Sequence, residues 1–186
     1  MNPISFAMTW LPPKDESVWE VTRGVLHVTL NGKTIWGRKG VGLESTWLST
    51  LEHLSLHWDR IFTEVAAPRG LAAPVEDLFE EGWREIRKDS LSLEERESFE
   101  SDLFDYLEAH DIGAGVQGIY LPQLYLVRQG AGFRWYSIGQ EASSSYEEVL
   151  TTLTGFGDVI ASRLRQEDSS DRAVRSLVQW RKVSRA

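Results

Sequence analysis

Cysteine is absent from this chain of 186 residues. That excludes thiol catalysis, Cys-ligated zinc and disulfides, and it suits a cytoplasmic protein. Long apolar runs are absent too. No stretch approaches the ~20 apolar residues that a membrane span requires. The opening MNPISFAMTWLPPKDE lacks a basic n-region and an apolar core, so a secretory signal is not expected there. Excess positive charge is also lacking. The net charge of −8 argues against broad nucleic-acid binding, which rests on neutralising phosphates. There is no P-loop, no EF-hand loop and no G-x-S-x-G nucleophile elbow.

What is present suits one folded unit. A chain of this length buries about 70% of its unfolded surface and needs no disulfide or metal staple. We expect a single α+β domain over residues 1–166 and a C-terminal helical extension over 167–186. Eight tryptophans suggest a well-filled core.

Strand patterns come in hairpins. In GVLHVTLNGKTIWG, Asn31-Gly32 separates two alternating runs and suits the positive φ of a type I′ turn. Leu26, Val28 and Leu30 share one face, while Val25, His27 and Thr29 share the other. A second hairpin is expected within LPQLYLVRQGAGFRWYSIG, turning near Gly130-Ala131-Gly132.

Helical patterns lie between and after the hairpins. Trp47, Leu51, Leu54, Trp58, Ile61, Phe62 and Val65 form a stripe at 3.6-residue spacing, which predicts a helix over 46–65. Pro74 opens a second helix. Ser92 and Glu95 form a capping box for a third, with Phe99, Leu103, Phe104, Tyr106 and Leu107 as its apolar face. Ser144 and Glu147 suggest another box, before a helix through Val149, Leu153, Phe156, Val159 and Ile160. A last helix is expected over 171–183. Two antiparallel β-hairpins packed with about five helices make an α+β fold, since strands and helices do not alternate one by one.

Three patterns invite chemistry. In EHLSLHW, His53 and His57 stand at i and i+4 on the first helix. The zincin order H-E-x-x-H is not met, because Leu54 follows His53 and Glu52 precedes it. The inverted order fails at Leu56. A catalytic zinc needs a third protein ligand, and Glu64 is roughly 10 Å further along the axis, beyond Arg60. Both imidazoles fall off the apolar stripe and are expected at a solvated flank. The second pattern, Gly113, Gly115 and Gly118, matches G-x-G-x-x-G, but a helix precedes it where a dinucleotide fold has a strand. We expect a helix exit or packing turn. The third is His110-Asp111 at a helix end, where the helix terminus and the carboxylate would favour a charged imidazole. On this reading no catalytic, metal-binding or cofactor-binding residue is assigned, and no cofactor is expected.

Residues 109–130, AHDIGAGVQGIYLPQLYLVRQG, resemble a stretch upstream of the peptidase domain in bacterial ImmA/IrrE-type zinc metallopeptidase proteins. The matching positions are His110, Asp111, Gly118, Leu121, Pro122, Arg128 and Gly130. The peptidase signature itself is absent, so zinc and proteolysis are not carried over. The resemblance implies an accessory or sensing domain of a bacterial regulatory, toxin or phage-defence system, with another protein or domain as partner.

An alternative is an immunity or antitoxin-like protein whose acidic stretch 76–108 covers a basic toxin. A second alternative is a small enzyme using His110. An accessory domain should continue into a further domain, whereas an immunity protein should stand beside a toxin. The basic stretch 163–185 could answer the acidic one within the fold.

Overall fold

The computed structural model describes residues 2–10, 24–37, 47–63, 78–87, 90–113, 123–137, 139–167 and 170–185. The fold is α+β, with two three-stranded antiparallel sheets and five helices among these residues. The first sheet has the order β1 (Ile4–Trp10), β2 (Gly24–Leu30), β3 (Lys33–Trp36). The second has the order β4 (Tyr125–Gln129), β5 (Gly132–Ser137), β6 (Gln140–Ser145). Both expected hairpins are present, and each sheet has one strand that the hairpins did not announce.

The local chemistry accounts for the turns. Asn31 and Gly32 both have positive φ, at 51° and 76°, as a type I′ connection demands. Gly130 opens the β4–β5 turn with φ 59°. Leu26, Val28 and Leu30 alternate inward on β2 and are fully buried. β1 joins β2 in register from Ile4↔Leu30 to Trp10↔Gly24.

The helices are α1 (Trp47–Phe62), α2 (Leu78–Ile86), α3 (Leu93–His110), α4 (Tyr146–Glu167) and α5 (Asp171–Val183). The α3 box forms as expected: Ser92 Oγ accepts from Glu95 N–H, and Glu95 Oε2 accepts from Ser92 N–H. The box before α4 falls one residue later than expected, on Ser145 and Glu148. Ser144 is instead part of β6, where its Oγ accepts from Trp135 Nε1. Two positions assigned to apolar faces, Phe104 on α3 and Val159 on α4, are exposed.

One core runs through both sheets, α1, α4 and α5. Phe6 of β1 stacks on Phe156 of α4 with centroids 4.7 Å apart. Residues 167–186, expected as an extension, contribute α5, whose Ala173 and Trp180 are buried in this same core. Trp180 stands edge-on to Trp58 of α1, and its Nε1 donates to Asp158 of α4. α1 therefore lies against several neighbours at once, with α3, α4, α5 and β4 all in contact with it. Among the described residues, no helix is long and apolar enough to cross a membrane.

Candidate functional site

The placement of α1 changes the character of EHLSLHW. His53 and His57 are buried, at 9% and 7% exposure, which corrects the solvated flank expected of them. An amphipathic stripe predicts one buried face, but α1 has neighbours on more than one side, and these enclose the off-stripe His53 and His57 as well. The two rings face each other with centroids 4.6 Å apart.

A third donor reaches them from another helix. Glu108, in the last turn of α3, brings a carboxylate oxygen to the pair, and one donor atom from each of His53, His57 and Glu108 lies within 4.8 Å of the others. Glu64, the acid weighed from spacing, lies outside the described residues. Glu108 is 51 positions beyond His57, so local spacing carried no sign of it.

The hydrogen bonds fix one tautomer. His53 Nε2 lies 3.1 Å from the backbone carbonyl of Asp111. A carbonyl only accepts, so Nε2 carries the proton and Nδ1 keeps its lone pair. Burial pulls the His53 pKa down to about 4, with the neighbouring His57 adding to the effect. His57 is also lowered, chiefly by burial, against the opposing pull of Glu108. Both imidazoles are thus neutral near pH 7. The Nδ1 of His57 is buried with no hydrogen-bond partner among the described residues.

Above the imidazoles lies a cleft of about 810 Å³ between α1, α3 and α5. Its walls carry both signs of charge: Glu52 and Glu108 against Arg172 and Arg175. Arg172 holds both carboxylate oxygens of Glu52, and Ser176 Oγ adds a third bond at 2.9 Å. Those bonds, the Arg172 one first, hold the Glu52 pKa below its ordinary value. Leu56, one residue before His57, lines the same cleft and is 75% exposed.

The residues singled out by resemblance have architectural contacts where they are described. His110 is buried at 1% exposure, and its Nδ1 donates to Tyr106 O at 2.7 Å. Burial lowers its pKa, so the charged imidazole expected at this helix end is corrected to a neutral one. Asp111 Oδ1 accepts from Gly113 N–H and Leu124 N–H, tying the end of α3 to the approach to β4. Arg128 Nη1 donates to Phe62 O, the last carbonyl of α1. Gly118, Leu121 and Pro122 lie outside the described residues, as does Gly115. Gly113 packs under Trp36, where a Cβ would come within 2.9 Å of the ring.

Compared with protein-family models, curated proteins and solved structures, the chain finds no match.

Proposed function

We propose that this chain is a recognition domain that acts through protein contacts, and that the α1–α3–α5 cleft is its working surface. The observation that carries this reading is Leu56, a leucine 75% exposed at the cleft on a helix whose other apolar residues are buried. An apolar side chain flanked by the charges of Glu108 and Arg175 suits a partner segment that offers one apolar residue and a complementary ion. The resemblance of residues 109–130 points the same way, to an accessory domain in a bacterial regulatory, toxin or phage-defence system.

The test is calorimetric titration of the full chain against the protein encoded beside it. Leu56→Asp and Arg175→Glu should each weaken binding at least about tenfold, the mark of a residue in a contact centre. Binding that survives both substitutions contradicts the reading.

A second reading is the immunity-like one. It is favoured by the outer face of α3, where Glu94, Glu97, Asp102 and Asp105 are all exposed. On that reading Glu97→Lys with Asp102→Lys weakens binding, mainly by slowing association at low salt, and the cleft substitutions do not.

A further inference from the structure

We propose that His53, His57 and Glu108 form a binding site for a divalent transition-metal ion, zinc foremost, at the floor of the α1–α3–α5 cleft. The site does not depend on the partner proposed above and stands or falls without it.

The geometry comes first. His53 and His57 share one face of α1 at i and i+4, the spacing that lets two imidazoles meet one ion. Glu108 completes a three-ligand N,N,O set, with all donor atoms within 4.8 Å of one another. A tetrahedral zinc with bonds of about 2.0–2.2 Å holds its donors about 3.3–3.6 Å apart. Glu108 is exposed, so its side chain has room to rotate toward the imidazoles.

The surroundings are those of a ligand set. A metal-ligating histidine commonly donates its other N–H to a carbonyl or carboxylate, which orients the ring and fixes the free lone pair. His53 does this through the Asp111 carbonyl. The second and independent observation is the Nδ1 of His57. It is buried in a residue only 7% exposed, and no protein group among those described satisfies it. A buried polar nitrogen left open in this way calls for a water or an ion.

The choice of metal follows from the donors. Two imidazoles and one carboxylate favour zinc, cobalt, nickel or copper over magnesium and calcium, which take oxygen. Three protein ligands leave a fourth position, and the cleft lies above it for water or a partner group. The local charges oppose one another. Glu108 and Asp105 of α3 act on His57 in favour of a cation, and Arg60 of α1 acts against it. Arg172 of α5 is engaged by Glu52, while Arg175 lines the cleft. The site is therefore expected to bind more weakly than a closed structural zinc site.

The experiment is equilibrium dialysis of the full, chelator-treated chain against zinc chloride, with bound metal counted by mass spectrometry. Visible absorption of the cobalt form serves as a second readout of coordination geometry. One equivalent per chain is expected, together with a rise in melting temperature on adding zinc. Glu108→Gln removes a ligand from an exposed position and should leave the fold intact while weakening zinc at least about 100-fold. His57→Ala should abolish the cobalt bands. Should His57→Ala fail to fold, Glu108→Gln alone decides the matter. Absence of stoichiometric zinc overturns the proposal, and so does zinc that binds the Glu108→Gln chain as tightly as the parent.

Discussion

Arg172 of α5 grips Glu52 of α1 with two nitrogens, one to each carboxylate oxygen, and so fastens the last helix beside the histidine pair. The pair is partly exposed, with side-chain exposures of 58% and 33%, and solvent screens much of its attraction. Arg172→Ala should therefore cost only about 0.5–1 kcal/mol at pH 7, by urea denaturation. Glu52 has a folded pKa below its ordinary value of 4.5, so its contribution is complete above that pH and is lost as pH falls further. A double-mutant cycle with Glu52→Gln should give a coupling that weakens as pH falls below 4.5 and vanishes once the carboxylate is protonated. A coupling that grows as pH falls below 4.5 would contradict the assignment.

The buried imidazoles set a second dependence on pH. His53 has a folded pKa of about 4 against an ordinary 6.5. Between those values the unfolded chain binds the extra proton, so stability is full above pH 6.5 and falls as pH drops toward 4. With no metal bound, a shift of this size corresponds to a loss of roughly 3 kcal/mol, as an order of magnitude. His57 and His110, also lowered by burial, deepen the fall. Denaturation curves from pH 8 to pH 4 in the presence of a chelator measure it. Stability that rises on acidification over this range would show the imidazoles are not buried.

Two glycines of α4, two positions apart, should answer the same substitution with opposite signs. A Cβ at Gly157 would lie 2.1 Å from the Trp180 ring, while at Gly155 it would meet nothing within 4 Å. Gly155→Ala should stabilise by about 0.5–1 kcal/mol through helix propensity. Gly157→Ala should instead destabilise by about 1–3 kcal/mol, because Trp180 is fully enclosed and has little room to shift. Melting temperatures of the two variants decide this. Equal responses would mean that α5 is not packed on α4 as described.

Arg128 gives a test of how the end of α1 is held against β4 and α4. Its guanidinium satisfies the end of α1 at Phe62 O and lies over the Tyr146 ring, 5.9 Å from the centroid. Both contacts are structural, a cation at a helix C-terminus and a cation–π pair. Arg128→Ala should cost about 1–2 kcal/mol in denaturation experiments. Partner binding should stay unchanged in conditions where the variant is folded.

The fold was legible where a local rule suffices. Asn31-Gly32, the Ser92–Glu95 box and the inward alternation of β2 each need only neighbouring residues, and each is present. β6 was not legible. QEASSS has no apolar run, and it becomes a strand through its pairing with β5 and the Trp135–Ser144 bond. β1 escaped because its partner β2 begins fourteen residues further on, beyond the reach of a hairpin signal. The site was half visible. The spacing of His53 and His57 is a sequence feature, but their burial depends on α3, and Glu108 arrives through tertiary packing. Glu108 of the acidic stretch and Arg175 of the basic one both line the cleft. The ion pair of Arg172 there is made with Glu52 on α1, outside the acidic stretch.

The account turns on the junction of α1 and α3 being a site as well as part of the core. Anomalous diffraction at the zinc edge, from crystals grown with zinc, addresses that directly. The account predicts a single strong peak within bonding distance of His53, His57 and Glu108. A junction without such a peak, in crystals whose anomalous signal lies elsewhere on the chain, would contradict it.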